Sequence, residues 1–315
     1  MKLLIQIPCY NEAETLAQTI SDLPRKIKGI DRIEIVVIDD GSTDDTQRVA
    51  REAGAHHVLR SPVNRGLARA FSQGLDYAIR VRADIIVNTD GDNQYPGGSI
   101  PDLIAPILHG EADVVIGNRD PHRLAHFSFA KRVLQYVGSA VVRGLSGTNV
   151  PDATSGFRAF SRRAALCMNV VSDFTYTLET IIQAGDKRLF VTHVDIEANE
   201  TARPSRLFTG VRSYLIKSVT TLVRIYALYN PLKVFVIIGG TLLAAGAGIG
   251  SRFVYYYFTD GGAGHVQSLI FAAVLLLAGF QAVLFGLMAD LIASSRRMLE
   301  DALIRLRQLE LGETK

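Results

Sequence analysis

Short apolar runs alternate with amphipathic stretches over the first 120 positions of this 315-residue chain. Leu3–Ile7, Ile33–Ile38, Ile85–Val87 and Val114–Ile116 are brief and rich in β-branched residues. That is the pattern of strands buried on both faces. The segments between them have a helical period. Ala13, Leu16, Ala17, Ile20 and Leu23 fall on one face, as do Leu67, Phe71, Leu75 and Ala78. Between these two a helix is expected to start at a Ser42 cap, with Asp45 three residues on, and to stop at Gly54. The alternation predicts a parallel α/β sheet with ligand sites at the carboxyl ends of its strands. Residues 121–200 are less regular. Helices are expected at about 161–169 and 174–184, the second stopped by Gly185, followed by a strand at Leu189–Ile196.

The pattern changes after residue 232. Val234–Ser251 and Val266–Ala289 carry no charge, and each is near the roughly 20 residues of a membrane span. Their connection, Thr259–His265, has no Lys or Arg, whereas Lys217, Arg224 and Lys233 flank one side and Arg296 and Arg297 the other. The positive-inside rule then predicts an integral membrane protein with two spans and with the large domain and both termini in the cytosol. Arg252 and Tyr255–Tyr257 are expected at the far interface. Four regions follow: a large domain over 1–206, basic amphipathic interfacial helices over 207–230, a two-helix hairpin over 231–295, and a cytosolic amphipathic tail over 296–315. The tail is expected either in solvent or packed between subunits, which leaves a homo-oligomer open.

Composition refines this. Hydrophobic residues make up 48% and charged residues 21%, enough apolar material for a real core. A net charge of +3 is too small to argue for a nucleic-acid partner. Cys9 and Cys167 stand in no metal-binding spacing and read as reduced thiols. The N-terminal apolar run is too short for a signal peptide and ends at Pro8.

The chemistry concentrates at the predicted strand ends. Asn88-Thr89-Asp90-Gly91-Asp92-Asn93-Gln94 follows a strand. Two carboxylates one residue apart can reach one hard cation, Mg2+ or Mn2+, with Gln94 adding an oxygen and open positions left for diphosphate. IPCYNEAETL (7–16) and VVIDDGSTDDT (36–46) end two more strands, and Asp39 or Asp40 can accept from a base N–H or a ribose hydroxyl. Asn64-Arg65-Gly66-Leu67 opens a helix that can approach the same nucleotide. Asp152–Arg158 can position the sugar or acceptor or serve as a structural loop, and Glu179 can be catalytic or a partner for a basic side chain. His122 and His126 are four apart but lack a third ligand, and their segment, 121–130, reads as an acceptor loop at the membrane.

In this order and spacing, the CYNEAETL, DDGSTDDT, D-G-D-x-Q, ADVVIGNR and TSGFRAF segments resemble family 2 glycosyltransferases of the GT-A fold, a Rossmann-like α/β architecture. The nearer likeness is to the polyprenyl-phosphate, dolichol-phosphate mannose synthase-like branch. The resemblance implies an inverting transfer from a GDP- or UDP-sugar to a polyprenyl phosphate with a divalent metal. It implies that Pro8, Tyr10, Asn11, Glu12, Asp39, Asp40 and Asn64 line the nucleotide-sugar and that Asp90, Asp92 and Gln94 hold the metal. Arg119 would meet a phosphate. Arg203 and Arg206, in ARPSRL, would close over the diphosphate. Asp92, Arg119, Asp152 and Arg203 are thus the expected catalytic set. Ser155, Arg158, Arg212 and Lys217 are expected toward the acceptor. Gly91 departs from the commoner D-A-D wording at a position that contributes mainly backbone. Another membrane lipid, a polysaccharide acceptor, or a catalytically silent scaffold are the competing readings.

Overall fold

A computed structural model describes residues 1–119, 138–140, 142–144, 146–170, 176–199, 220, 223–224, 226–227, 229–261 and 266–312. The chain falls into two compact units, Met1–Leu222 with Ile304–Lys315, and Val223–Leu303.

The first unit is built on a seven-stranded sheet in the order β3-β2-β1-β4-β6-β5-β7. The strands are β1 (Lys2–Cys9), β2 (Arg32–Asp39), β3 (His57–Arg60), β4 (Ile85–Asn88), β5 (Val114–Asn118), β6 (Arg158–Ser161) and β7 (Val191–Asp195). β1, β2, β4 and β5 are the four apolar runs of the sequence, each extended by one or two residues where it meets a loop. The sheet is mostly parallel, as expected, and its one antiparallel strand is β6, which lies between β4 and β5. Its register sets Asn88 opposite Arg158, so the 152–158 loop arrives beside the carboxyl end of β4. The paired ends Cys9 and Asp39 of β1 and β2 lie at that same edge.

Helices cover both faces. On one side α1 (Leu16–Ser21), α2 (Thr46–Glu52) and α4 (Ile100–Leu108) bury Leu16, Ile20, Ala50, Ile100, Leu103 and Ile104 against Leu3, Ile5 and Ile7. On the other, α3 (Leu67–Arg80) packs so closely that a methyl at Gly74 would meet Gln6 and Ile38. There Phe71 of α3 meets Phe160 of β6 and stacks on Tyr176 of α6 (Tyr176–Asp186), with the rings 4.0 Å apart. α5 (Arg162–Cys167) is capped by Ser161, whose hydroxyl accepts from the Ala164 amide.

Two expected helix ends differ. α2 begins at Thr46, and Ser42 is not its cap; the Ser42 hydroxyl accepts from the Asn11 amide instead. Gly185 does not stop α6, which runs on to Asp186. A side chain at 185 would collide with the Ser146 carbonyl, so glycine there permits a close backbone approach.

The second unit contains α7 (Pro231–Asp260), and α8 (Val266–Glu310) runs through it and on into the first. Both are long and apolar enough to cross a membrane, with mean hydropathies of 2.0 and 2.4 over their best windows. α8 buries Ala272, Gly279, Gly286 and Ala293, spaced by seven, which is a seam of small residues for a facing helix. A methyl at Gly279 would lie 2.8 Å from the Leu243 side chain and 2.9 Å from the Gly239 carbonyl of α7. Beyond the apolar part, α8 continues unbroken into the expected tail as far as Glu310.

Candidate active site

The loops after β1 and β2 interlock through polar side chains. Asn11, in the left-handed region at φ 57°, accepts the Thr43 amide on its side-chain oxygen (2.8 Å) and donates its own amide to Ser42. The Glu12 amide donates to the Thr46 hydroxyl (2.9 Å). Asp39 accepts from the Ser42 amide and the Gln47 side chain. Asp40 accepts the amides of Arg65 and Gly66 at 2.9 and 2.7 Å, which ties the start of α3 to β2. Asn64 accepts the Gly66 amide as well. Both aspartates are buried and hold loops in place, while Tyr10 stands 41% exposed at the rim with Pro8 buried behind it.

The D-x-D segment lies beside these loops. Gly91 is packed where a methyl would come 2.9 Å from the Cys9 sulfur and 3.3 Å from Glu12 Cγ. Its carbonyl accepts the hydroxyls of Thr15 and Thr19, at 2.8 and 3.1 Å, from the α1 side. Asp92 folds back to accept the Gln94 amide (3.1 Å). Burial, the Asp92 charge and, more weakly, Glu12 push the Asp90 carboxyl up to about 7, against a partial offset from Arg119 and Arg158. Crowded carboxylates raised in this way are the donor set a hard divalent cation relieves. Among the described residues no group of three or more His, Cys, Asp or Glu is placed to hold a metal. The pair therefore fits an ion whose remaining positions go to substrate oxygens and water, which is how Mg2+ is usually held.

The 152–158 loop closes the site from the β6 side. Asp152 is fully buried and grips Arg119 with two oxygens, at 2.8 and 3.2 Å, while also accepting the Thr154 and Ser155 amides. Arg119 also reaches the Thr154 hydroxyl (2.9 Å) and the Tyr95 hydroxyl (3.4 Å). Tyr95 stacks on Phe157 and accepts the Gly156 amide at 3.0 Å. Burial pushes its phenol up to about 12, so it stays protonated. Asn88 donates to the Gly156 carbonyl (2.9 Å) and to the Tyr176 hydroxyl (2.8 Å).

Of the residues singled out from the sequence, Pro8, Tyr10, Asn11, Glu12, Asp39, Asp40, Asn64, Asp90, Gly91, Asp92, Gln94, Arg119 and Asp152 lie on these connected loops. Ser155 and Arg158 need correction as acceptor residues, because both are fully buried. Arg158 donates to the carbonyls of Ala153, Ser155 and Thr177 and to the Thr180 hydroxyl, so it pins the loop to α6. Burial draws its guanidinium down to about 10. Glu179 lies in the first turn of α6, with Gln183 donating to it. His122, His126, Arg203, Arg206, Arg212 and Lys217 lie outside the described residues, as do the acceptor loop of 121–130 and most of the interfacial stretch. Asn88, expected only as the start of the D-x-D run, joins the site together with Tyr95, Tyr176 and Asn199, which were not expected there. Asn199 follows β7 and donates to the carbonyls of Gln94 (2.9 Å, from its backbone) and Asn93 (3.0 Å, from its side chain). The one local signal was that Asn88 and Tyr95 stand two residues before and three residues after the D-x-D segment.

Known proteins resemble this chain in sequence and in fold. The chain is 29% identical over 97% of its length, and 97% of the relative's, to the glycosyltransferase AglJ of Haloferax volcanii. It is 30% identical to the undecaprenyl-phosphate mannosyltransferase of Micrococcus luteus, over 51% of this chain and 66% of that one. Among solved structures, glucosyl-3-phosphoglycerate synthase of Mycobacterium tuberculosis, in complex with Mn2+, UDP-glucose and phosphoglyceric acid, superposes with a TM-score of 0.56. It covers 72% of this chain and 80% of its own at 22% identity, a likeness of fold. Residues 4–167 match the profile of Glycosyl transferase family 2, and the chain, a GT-A-type α/β unit followed by two span-length helices, belongs to that family of glycosyltransferases.

Proposed function

We propose that this glycosyltransferase moves a sugar, with inversion, from a nucleoside diphosphate carrier to a polyprenyl phosphate at the cytosolic face of a membrane. The carrying observation is the pairing, in one chain, of the buried Asp90 carboxylate, within the fields of Asp92 and Arg119, with two span-length helices. A lipid acceptor requires a site held at the bilayer. The M. luteus relative, whose name specifies undecaprenyl phosphate, favours the same acceptor class.

Each group has a task in this reading. Tyr10, exposed at the rim, offers a face to the base, while Asp39 and Asp40 hold the loops that form its pocket. Asp90, Asp92 and Gln94 would hold Mg2+ or Mn2+, which supplies positive charge to the diphosphate leaving group. Arg119 presents fixed positive charge at the same place, and Asp152 keeps it oriented. Asp152 is thereby a positioning residue and not a base, since its oxygens are already engaged. The acceptor needs little help to ionise: a phosphate monoester has a second pKa of about 6 and is largely dianionic at neutral pH. Arg203 and Arg206 fit as further charges on the diphosphate, and Arg212 and Lys217 as contacts to the anionic headgroup. The basic flanks of the spans favour a cytosolic catalytic unit and cytosolic termini.

The test is turnover with isolated membranes, a panel of nucleotide-sugars and added polyprenyl phosphate, followed by mass spectrometry of the extracted lipid. A glycosylated polyprenyl phosphate is expected, absent with Asp92→Ala. Product on a diacylglycerol-type lipid or a polysaccharide would replace the acceptor. No turnover with any donor would favour a scaffold.

A further inference from the structure

The end of α8 lies in the expected tail, and its partners there are defined. At Ile304 the helix joins the catalytic unit. Arg307 there makes three contacts to two different helices. One nitrogen pairs with Asp76 of α3 at 3.0 Å. Another donates to the carbonyls of Leu166 and Met168, at 3.1 and 3.2 Å, where α5 ends. A helix carboxyl end carries unpaired carbonyls and partial negative charge, so a guanidinium is a suited cap. Just beyond, Arg82 donates back to the Leu311 carbonyl at 2.5 Å. The tail is thus tied down at Arg307 and Leu311, while Leu306 and Leu309 stay exposed.

The helices it joins are the ones behind the active site. α3 carries Phe71, stacked on Tyr176. Asn169, just after α5, exchanges two hydrogen bonds with Gln183 of α6, at 2.9 and 2.6 Å, and Tyr176 opens α6. The Tyr176 hydroxyl meets Asn88 and the Gly156 carbonyl, and Gly156 lies directly against the Asp90 carboxylate. α3 and α5 therefore reach one tyrosine, which supports the peptide under Asp90.

We propose that Arg307 is a positioning residue for sugar transfer: the C-terminal turn of α8 clamps α3 to α5 and so fixes the Tyr176 support beneath the Asp90 site. Arginine suits the position because its planar fork serves several acceptors at once, which a lysine ammonium at the same reach does not.

The inference rests on the reading that Asp90 serves the donor, which Asp92→Ala tests separately in the same membranes. The experiment compares full-length wild type with Arg307→Ala and Arg307→Lys for kcat, donor KM and amide exchange over 67–80 and 162–169. Arg307→Ala is expected to lower kcat about tenfold, equivalent to about 1.4 kcal/mol in the barrier. Donor KM should change less than about twofold, amide exchange should quicken in both segments, and lysine should restore only part of the rate. Should the alanine variant fail to accumulate, Arg307→Gln, which keeps donors for the carbonyls, is expected to show the same split at smaller size. Faster exchange with unchanged kcat would reduce Arg307 to a structural tie and overturn the proposal. So would unchanged kcat and unchanged exchange together.

Discussion

The α-carbon of Gly156 lies against the carboxylate of Asp90, so closely that a methyl there would sit 3.0 Å from both carboxylate oxygens and from the Tyr176 hydroxyl. The peptide on either side is held from two directions, its amide by Tyr95 and its carbonyl by Asn88. It has no room to withdraw. Gly156→Ala should therefore displace the Asp90 carboxylate. An overpacked site costs about 1–3 kcal/mol, and here the strain falls on the proposed metal-binding group. The expected result is a loss of turnover well beyond the loss of thermal stability, with a raised Mn2+ requirement. A variant that melts early but turns over normally at low Mn2+ would contradict it.

Gly91 and Cys9 make a second complementary pair. The Cys9 sulfur fills the space that an alanine methyl at 91 would take, at 2.9 Å. This accounts physically for the D-G-D wording where D-A-D is commoner. Gly91→Ala alone should destabilise the loop by about 1–3 kcal/mol and lower activity. Cys9→Ala should restore most of both when combined with it, because the sulfur is what the methyl meets. Activities of the two single variants and the double variant decide this; purely additive losses would mean that the clash lies elsewhere.

How much of this was legible beforehand depends on where the information sits in the chain. β1, β2, β4 and β5 are unbroken aliphatic runs, and those announce themselves. β3 (HVLR) and β6 (RAFS) are four-residue strands with an arginine at one end. Arg158 looks like a surface residue until its buried acceptors are known. The loops that carry polar chemistry at strand ends were readable because their motifs are contiguous. The tasks of Tyr95, Asn88, Tyr176 and Asn199 were not, since each acts through a partner 61 to 106 residues away. Nothing local marks a tyrosine as the acceptor of a distant amide. Asp152 was left open between a catalytic and a structural task, and Arg158 was expected toward the acceptor, because burial cannot be read from residue type.

The seam of α7 and α8 makes a contrast between two glycines. A larger residue at Gly279 meets Leu243 and the Gly239 carbonyl, whereas Gly240 has nothing within 4 Å. Helices in a bilayer associate by close packing of small residues, so Gly279→Leu should open the hairpin and Gly240→Leu should not. Detergent-solubilised protein is expected to lose thermal stability and protease resistance with the first substitution only. Equal tolerance of both would remove the seam as the basis of the hairpin.

The last expectation concerns pH and follows from Asp90. Its carboxyl is raised from an ordinary 3.8 to about 7 in the metal-free protein by burial and by Asp92. Between those two values the folded chain holds a proton that the unfolded chain has lost. Metal-free stability should therefore fall as pH rises from about 4 to about 7, then level off. A divalent cation must displace that proton. Below about pH 7 its affinity should rise roughly tenfold per pH unit, one proton being released per ion bound, and above it the dependence should flatten. Thermal unfolding with and without Mn2+ and UDP, from pH 5.5 to pH 8, measures both effects. The Mn2+-induced rise in Tm should be small at the acid end and large at the alkaline end. Asp90→Asn has no carboxyl to ionise, so it should be the more stable protein at pH 8 without metal and nearly indifferent to Mn2+ throughout. If wild type gains equally from Mn2+ at pH 5.5 and pH 8, the ion is not competing with a proton on Asp90, and the D-x-D pair is not its site.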